Sequence, residues 1–78
     1  MLKATSKVDC DAIKAWVNDT AKSNHYQARY ISIREYEECQ LDGCVAYEVY
    51  WLGSSRISMQ NFYVDIKTHE IVHVTRYV

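Results

Sequence analysis

The hydrophobic period of the chain changes once, near Gln27, and that change bounds what it folds into. Before it, Ala12, Ile13, Trp16, Val17, Thr20 and Ala21 recur at the i, i+3, i+4 spacing of one helical face, while Asp11, Lys14, Asn18 and Lys22 fall elsewhere. Ser6 stands three residues before Asp9, close to a capping box, and Lys22 sits late, where the helix dipole favours a cation. A helix is predicted from Lys7 to Ser23, ended by Asn24 in a left-handed turn.

From Gln27 onward the pattern is period two, rich in tyrosine and β-branched residues, as a half-buried antiparallel sheet requires. Ile31 and Ile33 alternate with Tyr30, Ser32, Arg34 and Tyr36; Val45, Tyr47, Val49 and Trp51 alternate with Ala46, Glu48 and Tyr50. Phe62, Val64 and Ile66 alternate with Asn61, Tyr63 and Asp65, and Val72 and Val74 with Ile71, His73, Thr75 and Tyr77. Asp42-Gly43, Gly53-Ser54-Ser55 and Lys67-Thr68-His69 supply the turns. With 78 residues, no proline and two glycines, a single core is all that can form, so residues 1–78 are read as one domain. The expected class is α+β: one N-terminal helix packed on one face of a four-stranded antiparallel meander sheet.

One helix covers one sheet face, and the faces differ in chemistry. Ile31, Ile33, Val45, Val49, Trp51, Phe62, Val64, Ile66, Val72 and Val74 are assigned to the helix side. The reverse then carries Tyr30, Tyr36, Tyr50, Met59, Tyr63, His73 and Tyr77. Tyrosine covers a large area at low entropic cost and keeps a hydroxyl for water, which suits partner binding or pairing with a second copy; β propensity alone also favours it on solvent-side strands. Glu35, Glu37, Glu38 and Asp42 form the one local charge excess. Such a cluster either solvates a sheet edge or meets a basic surface on a partner. The candidate partner-binding residues are therefore Tyr30, Tyr36, Tyr50, Tyr63 and Tyr77 with Glu35, Glu37, Glu38 and Asp42.

Charge narrows the partner. Nine Lys and Arg against ten Asp and Glu give a net charge of -1, the opposite of a phosphate-binding footprint. Nucleic acid is disfavoured, although an aromatic sheet face is also how single strands are stacked. The first residues, Met1-Leu2-Lys3-Ala4-Thr5, lack a secretory apolar run, and no stretch is long and apolar enough to span a bilayer. A cytoplasmic chain without membrane contact is expected. Three cysteines cannot all pair within one chain, and reduced thiols are the simpler reading; Cys39 and Cys44 flank a turn and are candidates for a redox-sensitive bridge, while Cys10, near the helix start, is a candidate for a lowered pKa.

His69-Glu70-Ile71-Val72-His73 matches the zinc-protease pattern H-E-x-x-H. On a helix the two imidazoles lie about 6 Å apart and share one zinc; in a strand the same positions are about 13 Å apart. The surrounding run of Val64, Ile66, Thr68, Ile71, Val72, Val74 and Thr75 is β-branched throughout, so a strand is expected and no metal or catalytic residue is assigned. Gly53-Ser54-Ser55 lacks the G-x-S-x-G frame, and no glycine-rich phosphate loop is present. No cofactor is called for.

Ala46-Tyr47-Glu48-Val49 and Phe62-Tyr63-Val64-Asp65-Ile66-Lys67-Thr68-His69-Glu70-Ile71, following a helix, resemble the PepSY-type domain, whose pattern pairs a Tyr-x-Val strand with a closing Tyr-x-Asp-x-x-Thr-Gly-Glu-like hairpin. His69 stands where that family has glycine. The resemblance covers about the last fifty positions and implies a non-catalytic module that binds or restrains another protein, often a peptidase. The expected function is a small non-enzymatic inhibitor or regulator of a partner protein. A mobile-element protein that blocks a host nuclease or defence complex, and single-strand binding through the aromatic face, are the alternatives.

Overall fold

A computed structural model describes residues 6–25, 27–36, 41–53 and 57–75. Helix α1 spans Lys7–Ser23 and is followed by strands β1 (Arg29–Tyr36), β2 (Cys44–Leu52), β3 (Ile57–Asp65) and β4 (Ile71–Val74). The strands form one antiparallel sheet in the order β1-β2-β3-β4, each paired with its neighbour in sequence. This is the expected α+β arrangement, and no helix among the described residues is long and apolar enough to cross a membrane.

Helix α1 starts where its chemistry says it should. Ser6 is the N-cap, its Oγ accepting the Asp9 amide at 3.4 Å, and Lys22 lies in the last turn. The helix ends differently from the expectation. Asn24 takes φ -100 and caps Thr20 O through its side-chain amide at 2.8 Å, and the left-handed position falls on His25, φ 64, whose amide donates to Lys22 O.

Asp9, Ile13, Val17 and Ala21 are the buried helical residues, one stripe at i, i+4 spacing. Below Asp9 this stripe meets Tyr47, Val49, Trp51, Phe62 and Val64 in a continuous core. Trp16 closes its flank, packing edge-on to Phe62 with ring centroids 5.0 Å apart and planes at 89°. At one end Trp51 Nε1 donates to Gln60 Oε1 at 2.9 Å, and Gln60 Nε2 to Thr75 O at 3.4 Å, so the polar atoms beside the core have partners.

Two of the ten helix-side residues are placed elsewhere. Ile66 is exposed: β3 stops at Asp65, and Ile66 enters the β3–β4 turn, its amide donating to Gly43 O. Val72 is exposed because β4 carries an extra residue there. Tyr63 faces His73 but Val64 faces Ile71, so Val72 is bulged out and Ile71 takes its place against the core beside Val74. A matching irregularity lies in β1, where Arg29 pairs with Leu52 and Ser32 with Tyr50, leaving Tyr30 and Ile31 opposite Trp51. Tyr30 holds the left-handed conformation this bulge needs, φ 52.

Candidate functional site

The face of the sheet turned away from α1 is built in rungs by the strand register. At one end Leu52 pairs with Arg29 and Ile57, and next to it Tyr50 pairs with Ser32 and Met59. The middle rung is polar: Arg34, Glu48 and Asn61 run side by side across β1, β2 and β3. Beyond it Ala46 lies between Tyr36 and Tyr63, and Tyr63 faces His73 on β4, their rings 5.6 Å apart. No other described element lies across this face.

Of the residues expected here, Tyr30 is 82% exposed at its bulge and Tyr50 is exposed, while Tyr36 and Tyr63 are half-buried. Tyr77, Glu37 and Glu38 lie outside the described residues. The two described members of the acidic group, Glu35 and Asp42, do not join the tyrosines. Glu35 is opposite Tyr47, on the helix side of the sheet, and Asp42 is exposed in the turn beside Gly43. Arg34 reaches across to Glu48, Nη2 to Oε1 at 3.3 Å, with side-chain exposures of 76% and 16%.

Two residues outside the expected set also belong to the face: Leu52, half-buried, and Ile57, 74% exposed. Both keep step with Tyr50 and Met59 at period two, and that spacing was the available signal. The resulting end of the face is apolar and solvent-facing, unlike the Ala46 end, where Ala46 is buried.

A second polar constellation lies at the helix N-terminus, between α1 and the sheet. Asp9 is 4% exposed, and a carboxylate so buried needs hydrogen-bond partners. It has two: the Tyr47 hydroxyl donates to Oδ2, and His69 Nδ1 lies 2.8 Å from Oδ1. His69 therefore carries its proton at Nδ1 while the carboxylate is ionised. Burial, then the hydrogen bond it donates to Asp9 and that carboxylate's charge, push the Tyr47 hydroxyl above the usual phenol range.

His69 reaches Asp9 from a tight turn. Asp65 Oδ1 accepts the amides of Lys67 and Thr68 at 2.8 and 3.0 Å, and the amide bonds of Thr68 and Lys67 hold the Asp65 carboxyl below its usual range. His69 then takes φ 61 and donates its own amide to Asp65 O, in the conformation glycine most easily adopts. Imidazole and carboxylate orient each other, and Cys10 lies beside Asp9 in sequence. Partial burial raises the Cys10 pKa, Lys14 opposes that, and Asp11 and Asp9 reinforce it, the reverse of the lowering expected at a helix start.

The H-E-x-x-H run is not helical: His69 sits in the turn and His73 in β4. Among the described residues no group of three or more His, Cys, Asp and Glu side chains is placed to hold a metal ion. Cys39, and with it any bridge to Cys44, falls outside the described residues. Comparison with protein-family models, curated proteins and solved structures gave no match.

Proposed function

We propose that the chain is a non-enzymatic protein-binding module that inhibits or regulates a partner through the sheet face opposite α1. The observation that carries this reading is the face itself. A solvent-facing surface with Tyr50 and Ile57 exposed spends little area on the monomer's own core, and large aromatic and aliphatic side chains on a rigid sheet make good contact anchors. The Asp9 constellation supports the same reading, since its hydrogen bonds run between elements of the fold, from helix to strand and turn. The PepSY-type resemblance adds the class of target, a peptidase held or restrained by the module.

Site-directed photo-crosslinking tests this. A photoreactive phenylalanine analogue replaces Tyr50 on the open face, and in a control chain it replaces the exposed Lys14 on α1. In the host cell, position 50 should give a discrete protein adduct that is absent from position 14 and lost when Ile57→Asp is added. No adduct, or the same adduct from both positions, rejects the assignment of the face.

A further inference from the structure

The charges around the open face are sorted in a way the net charge of -1 conceals. The apolar end, formed by Tyr50, Leu52, Ile57 and Met59, is bordered along β1 by Arg29 and Arg34. The acid in the adjoining rung, Glu48, is mostly buried and held by Arg34, whose own side chain remains 76% exposed. Arg29 is exposed and makes no ion pair among the described residues. The other described acids are placed away from this end: Asp9, Asp11 and Asp19 on α1, Glu35 on the helix side, Asp42 and Glu70 in turns, and Asp65 at the far end of β3 with its carboxylate on turn amides.

We propose that this end of the face receives a short acidic, amphipathic segment of a partner protein. Its apolar side chains cover Tyr50, Leu52, Ile57 and Met59, and its carboxylates meet Arg29 and Arg34. This rests on the protein-binding reading above and gives the partner its chemistry. Guanidinium groups at the border of an apolar patch favour carboxylates through bidentate hydrogen bonds and reject basic segments by like charge. A nucleic-acid strand fits less well. Two guanidiniums, one already engaged, neutralise few phosphates, and of the four apolar side chains at this end Tyr50 alone offers a base a ring to stack on. A second copy brings the same guanidinium excess against itself.

Panning a phage-displayed random-peptide library on the intact chain tests the proposal, followed by binding of the enriched peptides as synthetic fluorescent probes. Peptides combining Asp or Glu with aliphatic or aromatic residues should enrich. Their affinity should fall about tenfold or more in Arg29→Glu and in Arg34→Glu, which corresponds to at least about 1.4 kcal/mol, fall with added salt, and vanish in Ile57→Asp. Thermal melts establish that each variant is folded; Arg29, without an ion pair among the described residues, serves alone if Arg34→Glu disturbs Glu48.

Enrichment of basic or uncharged peptides, or binding indifferent to both arginine changes, overturns the acidic-segment inference; if Ile57→Asp still abolishes that binding, the face remains the binding site. No enriched peptide, or none sensitive to Ile57→Asp and Tyr50→Ala, overturns both. Binding of labelled oligo(dT) at low salt in place of peptides, or a dimer by light scattering that Ile57→Asp dissociates, assigns the face to nucleic acid or to a second copy and overturns the proposal.

Discussion

The imidazole of His69 lies 2.8 Å from the carboxylate of Asp9, although 60 positions of chain separate them. Because Asp9 also accepts from Tyr47, one buried carboxylate joins the first turn of α1, the second strand and the β3–β4 turn. Asp9→Ala leaves the Tyr47 hydroxyl buried without its acceptor and should cost about 1–3 kcal/mol in urea unfolding. Tyr47→Phe should cost a similar amount, by leaving the carboxylate one donor short. The double variant should lose clearly less than the sum of the two, since each change already removes the shared bond. Strict additivity would mean the bond contributes nothing.

Tyr47 also sets an alkaline limit. Its folded-state pKa is raised, chiefly by burial, whereas in the unfolded chain it titrates near the ordinary value of about 10. Above that pH the unfolded state releases a proton that the folded state keeps, so stability should fall as pH rises through about 10. Denaturation midpoints measured across this range should decline in the natural chain and decline less in Tyr47→Phe. Phenolate absorbance should show a delayed ionisation step that is missing in Tyr47→Phe.

Two turn positions share a conformation but not a remedy. His69→Ala loses the Asp9 contact and keeps a side chain at φ 61, whereas His69→Gly loses the contact but relieves the backbone. Alanine should therefore be the less stable by about 1 kcal/mol. At Gly43, φ 77, an added Cβ meets nothing within 4 Å, so Gly43→Ala should cost about 1 kcal/mol for conformation alone. Thermal midpoints that rank His69→Gly below His69→Ala would contradict the first expectation.

Face and core should separate cleanly under mutation. Phe62→Ala opens a cavity under Trp16 and should cost about 3–5 kcal/mol. Ile57→Asp, at a mostly exposed position, should shift stability by about 0.5 kcal/mol or less while abolishing the position-50 adduct. Circular dichroism melts run beside the cross-linking assay check both halves.

How much of this was legible follows from what periodicity can and cannot carry. The limits of α1 and the order of the four strands could be read because cap, period and turn residues agree at those places, whereas β3 begins at Ile57 and ends at Asp65 where the alternation runs from Asn61 to Ile66. Tyr47 keeps step with Val45, Val49 and Trp51, so its burial was implicit; Asp9 continues the stripe of Ile13, Val17 and Ala21, yet a carboxylate near a helix start reads as a dipole partner first. Its partner His69 could not be inferred, since no local rule links positions 60 apart. Val72 differs for another reason: a bulge adds one residue without any compositional mark, so Val72 and Ile71 exchange places at it while His73 and Val74 keep their assigned faces. Tyr36, Tyr50 and Tyr63 mark the open face by alternation, while Leu52 and Ile57 lie beside turns, where alternation carries least.

The extra residues at Tyr30 and at Val72 both belong to outer strands, one on each margin of the sheet. A further strand laid along either margin would find the ladder of amides and carbonyls out of step within a few residues. Fibril growth, which copies one straight margin onto the next, is thereby frustrated at both ends, and the molecule can keep a greasy surface in water without polymerising through its borders.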